Sequence, residues 1–92
     1  MPKKIRRRRI RGKFHHNCFK PCGMPGHNLE YINLSRDEIE AIRLADYNEM
    51  YQEDAAKEME ISRPTFSRIL NNARKKIASA LLEGKAIEIE NF

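Results

Sequence analysis

Residues Gln52–Leu70 read QEDAAKEMEISRPTFSRIL, and their spacing is that of a helix-turn-helix. Ala55, Met59, Ile61, Phe66 and Ile69 fall where two crossing helices bury side chains between them. Ala56 falls at the closest approach, where a larger side chain would push the helices apart. Ser62 stands before the second helix as its cap, and Pro64 is tolerated because it lies in the first turn. One position departs from the general pattern. The turn usually carries Gly because its backbone is left-handed, and this chain has Glu60, at a cost of about 1 kcal/mol.

The second helix continues well past the motif. Phe66, Ile69, Leu70, Ala73, Ile77, Ala80 and Leu81 recur at three- and four-residue steps, and Gly84 stops the run, with Lys85 beside the last carbonyls. The predicted recognition helix therefore spans residues 62–83. With that stripe inward, the opposite face shows Arg63, Pro64, Ser67, Arg68, Asn71, Arg74 and Lys75. Arg can bond guanine O6 and N7 together, and Asn can do the same with adenine N6 and N7. Arg63, Ser67, Arg68 and Asn71 are accordingly assigned to DNA base edges. Arg74, Lys75 and Lys76 lie further along and suit phosphates, and Thr65, at the side of the helix, can reach a phosphate or help the cap.

Outward in the other direction, a first helix opens at Ser35. Ser35 and Glu38 form a capping box, Leu34 is placed to staple onto Ile39, and the helical pattern fades at Tyr47-Asn48. Tyr47 and Tyr51 read as packing residues. The segment 29–34 (LEYINL) alternates like a short strand, as does 86–90 (AIEIE), and the two are candidates to pair. Residues 14–28 are dense in Pro and Gly and read as a loop. Residues 1–13 are low in complexity and predicted to be disordered. The expected fold is mainly α: a three-helix helix-turn-helix domain over 29–92, a loop over 14–28, a basic arm over 1–13, and a small two-stranded sheet.

The 92 residues carry a net charge of +5, very unevenly spread. Lys3, Lys4, Arg6, Arg7, Arg8, Arg9, Arg11 and Lys13 place eight positive charges in the first thirteen residues, so a net −3 falls to the rest. Between Asn28 and Ile61 ten acids face three bases, whereas Ser62–Lys76 holds five bases and no acid. A polyanion would meet two positive segments, the arm and the recognition helix, and Arg6, Arg7, Arg8 and Arg9 are assigned to its phosphates. No apolar run nears the roughly 18 residues of a membrane span, and the basic start is not followed by the apolar stretch of a signal peptide. The expected setting is cytoplasmic. An enzyme is not expected: no hydrolase elbow, phosphate loop or metalloprotease pair occurs.

Five potential metal donors crowd into residues 15–27. Cys18, Cys22, His15 and His27 have the chemistry to hold a tetrahedral zinc, although their spacing matches no established finger. Reduced thiols in a loop equally need no metal, and no other cofactor is expected.

The pieces FKPCGMP (19–25), LSRDEIEAIRLAD (34–46), YQEDAAKEMEISRPTFSRIL (51–70) and ARKKIASALLEGKAI (73–87), in that order behind a basic start, resemble the prokaryotic domain-of-unknown-function family 134, also called uncharacterised protein family 0251. Its helix-turn-helix is similar to region 4 of bacterial sigma factors. The resemblance implies a transcription regulator, prokaryotic and nucleoid-associated when bound, with the same recognition face. Members commonly have Gly where this chain has Glu60. The expected function is sequence-specific double-stranded DNA binding by a homodimer, since two-fold pairing doubles the contacts on a palindrome. Two other readings stand beside it. One is a protein-interaction module of the sigma region 4 type that meets RNA polymerase or another protein through the acidic face 49–60. The other is an RNA-binding protein led by the arginine arm.

Overall fold

The computed structural model describes residues 18–23 and 28–90. The basic arm, with Arg6, Arg7, Arg8 and Arg9, lies outside them, as do His15 and His27.

Strand β1 is Cys18–Phe19 and strand β2 is Tyr31–Leu34. Ser35 then starts helix α1, Arg36–Ile42. Its Oγ accepts from Glu38 N at 3.2 Å while Glu38 Oε1 accepts from Ser35 N at 2.9 Å, so the predicted capping box is formed. The helix does not end at Ile42 but widens into a π-helical segment, Arg43–Tyr47, in which Asn48 N donates to Arg43 O at 2.9 Å. Met50 N donates to Leu44 O at 3.1 Å, and Glu49 takes a left-handed φ of 57° as the chain turns.

Helix α2, Gln52–Met59, follows. It ends at Glu60, with a φ of 62°. There Ile61 N donates to Ala56 O and Glu60 N to Lys57 O, each at 3.0 Å, the paired bonds of a Schellman stop. The left-handed turn that the motif demanded is thus present on a non-glycine residue. Helix α3, Arg63–Glu83, is capped by Ser62, whose Oγ accepts from Thr65 N at 3.3 Å, and is closed by Gly84 with a φ of 69°. Strand β3, Ala86–Ile89, completes the described chain.

The expected two-stranded sheet is corrected to three strands in the order β1-β3-β2. β2 and β3 pair in parallel, from Tyr31↔Ala86 to Leu34↔Ile89, with all three helices forming the crossover that parallel pairing needs. β1 pairs antiparallel on the other side of β3, Cys18↔Glu88 and Phe19↔Ile87. The segment read as a loop therefore contains a strand, too short to show any alternation.

Ala41, Leu44, Ala55, Ala56, Met59, Phe66, Ile69 and Leu70 form the core, with Ile42, Ala45, Met50 and Ile61 against it. Ala56 is buried, as its placement at the helix crossing requires. The predicted stripe of α3 is buried at Phe66, Ile69, Leu70, Ala73 and Ala80, but Leu81 departs from it. Leu81 is 75% exposed and borders an open apolar groove instead of filling the core. Tyr47 and Tyr51, expected to pack, are 83% and 82% exposed: the π-helical segment and the turn after it direct the apolar contacts through Leu44 and Met50.

Candidate nucleic-acid interface

The candidate interface is built on α3. Burial of Phe66, Ile69, Leu70 and Ala73 fixes the helix about its axis, and α2 backs its N-terminal half through Ala55, Ala56 and Met59. Residues a half-turn away from that stripe are then forced outward. Arg63, Arg68, Asn71 and Lys75 are all exposed, and Ser67 is half-buried beside them. The structure thus brings the four residues assigned to base edges onto one surface of the first three turns of α3. Of the residues assigned to phosphates, Lys75 shares that surface.

The other helix cations are placed differently. Arg74 lies at the margin, its guanidinium held in two bonds to the Asp46 carboxylate, Nε to Oδ2 at 3.2 Å and Nη2 to Oδ1 at 2.6 Å. Those bonds raise its pKa above the ordinary arginine value. The π-helical segment is what carries Asp46 to this margin. Lys76 turns to the opposite flank, where Nζ donates to Glu38 Oε1 and to Asn33 O, both at 2.8 Å. Its position is that of a tie between α3, α1 and β2 rather than of an open phosphate contact. The Lys76 charge, assigned to phosphate from the sequence, has a nearly buried carboxylate as its partner in this structure. Thr65 serves the cap, its Oγ1 accepting from Ser62 Oγ at 3.0 Å. Sequence reading gave no sign of either ion pair, because each joins residues far apart in the chain.

A third charge pair lies at the junction of α1 and the π-helical segment. Glu40 is fully buried and accepts from Arg43 Nε at 2.9 Å and Nη2 at 2.8 Å. The bonds to Glu40 raise the Arg43 pKa, against a desolvation that lowers it.

Sequence reasoning assigned Tyr47 and Tyr51 to packing, and both are exposed instead. Tyr47 follows directly on Asp46, the partner of Arg74, and Tyr51 precedes the first turn of α2, whose donors receive no side-chain cap. The one signal was position, since both flank the start of the helix-turn-helix.

Cys18 and Cys22 are both exposed free thiols. Among the described residues no group of three or more His, Cys, Asp or Glu side chains gathers to hold a metal, and the other two proposed zinc ligands lie outside those residues. No helix among the described residues is long and apolar enough to cross a membrane.

The model of a protein family described as a protein of unknown function, DUF134, matches residues 1–91. A UPF0251 protein of Halothermothrix orenii is 54% identical over 72 residues, which are 78% of this chain and 53% of the relative. One from Syntrophomonas wolfei is 50% identical over 90 residues, 98% of this chain and 69% of the relative. One from Vibrio vulnificus is 49% identical over 75 residues, 82% of this chain and 75% of the relative. The chain thus spans about half the length of some curated relatives, such as the Halothermothrix protein, and more of others. No solved structure matches.

Proposed function

We propose, for a chain that belongs to the protein family DUF134, sequence-specific binding of double-stranded DNA in the service of transcription regulation. The observation that carries this reading is the exposed surface of α3 over Arg63, Ser67, Arg68 and Asn71. These residues oppose a fully buried stripe, and a second helix packs behind them. That is the arrangement in which a helix enters the major groove with its N-terminal half against base edges. Lys75 lies one turn beyond Asn71 and is suited to a flanking phosphate. Arg74 joins it if Asp46 gives up its guanidinium, an exchange of one anionic partner for another. The arm adds sequence-independent attraction, and the proposed assembly is a homodimer on a palindromic site.

Alanine substitution at Arg68 and at Asn71 tests the reading. Each bidentate base contact is worth about 1–3 kcal/mol of discrimination. Each variant should therefore lose preference at one or two base pairs while keeping a salt-sensitive, sequence-blind affinity. Unchanged sequence preference in both would overturn it.

A further inference from the structure

Arg74 is a cation of α3 that the fold has already partnered with an acid. It stands seven residues beyond Ser67, so the two lie within about 20° of one line along the helix, about 10.5 Å apart. A side chain that far past the proposed base-reading surface leaves a major groove about 12 Å wide and meets the phosphates on its border. Its guanidinium is engaged there by Asp46, which accepts from Nε at 3.2 Å and from Nη2 at 2.6 Å. Ser62–Lys76 contains no acid, so this carboxylate comes from another element, the π-helical segment. Buried Leu44, with Ala45 against the core, holds that segment in place.

The pair does little for the fold. The side chains of Arg74 and Asp46 are 49% and 38% exposed, and an exposed ion pair stabilises a protein weakly. Lys76 differs: its partner Glu38 is nearly buried, and it also donates to the Asn33 carbonyl. On the DNA-binding reading of α3, we infer that Asp46 is an autoinhibitory residue: it takes the place of a DNA phosphate on Arg74 and withholds that cation from the duplex. Carboxylate and phosphate both engage a guanidinium through two parallel bonds. Only one of them can hold the Nε–Nη2 edge.

Moving Arg74 to a phosphate leaves the Asp46 carboxylate without its partner beside an anionic backbone. The new pair is then largely offset by the lost one, and Arg74 adds little to affinity while Asp46 is present. The offset is the same for every sequence, because phosphates carry no sequence information. Asp46 therefore lowers affinity for all duplexes alike and leaves base preference unchanged. It restrains the sequence-blind attraction of a chain whose first thirteen residues carry eight positive charges.

A double-mutant cycle of the whole chain tests the exchange. Wild type, Asp46→Asn, Arg74→Ala and the double variant are titrated with one selected and one scrambled duplex at several salt concentrations. Far-ultraviolet circular dichroism checks that each is folded. Asp46→Asn should bind both duplexes about two- to fivefold tighter, with a salt slope steeper by about 0.9, the share of one added phosphate contact. Arg74→Ala should bind like the wild type, and in the double variant the gain should vanish. Weaker or unchanged binding by Asp46→Asn overturns the inference, and would make Asp46 a residue that positions Arg74. An equal gain with and without Arg74 also overturns it, leaving only a general repulsion of DNA by an acid. The expected cycle on duplexes that show no sequence preference would leave the exchange standing and overturn sequence-specific reading instead. A wild-type chain that binds neither duplex overturns both.

Discussion

Glu60 holds a backbone φ of 62° in the tight turn between α2 and α3. A side chain in that region costs about 1 kcal/mol relative to glycine, so Glu60→Gly should stabilise the fold by about that amount in urea unfolding. Sequence alone exposed this strain, because the motif fixes the turn to one residue. The same conformation at Glu49 gave no such signal, since it follows a π-helical segment that no residue pattern announces. Glu40 was equally illegible. A glutamate in a helix reads as solvated, yet this one is fully buried beneath the bidentate Arg43. Removing Arg43 takes a bidentate partner from a carboxylate that is out of water. Arg43→Ala should therefore destabilise the protein by about 3 kcal/mol, measured by the same unfolding experiment.

At the scale of elements, the helices were readable because each begins or ends with local chemistry. Ser35 and Glu38 announce α1, Ser62 and Pro64 announce α3, and Gly84 stops it. The sheet was half readable. The alternation in YINL and AIEI marked two strands, but direction is set by the three-helix crossover, and β1 is two residues long. Lys76 adds a polar tie between the layers, reaching Glu38 on α1 and the carbonyl of Asn33 on β2. Its charge was legible as a cation of α3, and its partner in the fold was not, because an ion pair across 38 residues leaves no trace in spacing. Lys76→Ala leaves the nearly buried Glu38 carboxylate short of a partner. It should cost about 1–2 kcal/mol of stability, discounted for the partial exposure of the pair, and should leave the DNA sequence preference unaltered. Urea unfolding together with duplex selection on this variant checks both halves of that statement. The same contrast applies to the site itself: periodicity located the outward surface of α3, whereas the ties of Arg74 and Lys76 needed three dimensions.

For the whole molecule, charge is distributed as the two kinds of DNA contact in the proposed function would require. The arm concentrates eight positive charges in thirteen residues, and α3 offers a smaller set of bases at fixed positions. The first kind is a matter of counterions and the second of hydrogen-bond geometry. Deleting residues 1–13 should weaken binding to all duplexes alike and flatten the dependence of log affinity on log salt, by about 0.9 for each phosphate that the arm neutralises. The bases preferred should stay the same. Titrations of one cognate and one scrambled duplex across several salt concentrations would show it.

The central claim is that the surface of Arg63, Ser67, Arg68 and Asn71 reads base pairs. Its most direct test is selection from random duplex DNA by the purified chain at physiological salt, followed by sequencing. Enrichment of one short sequence, repeated as a palindrome with half-sites one helical turn apart, is the expected result. Recovery of duplexes without any shared sequence, through binding that vanishes as salt rises, would contradict the claim and leave only the electrostatic attraction of a basic chain.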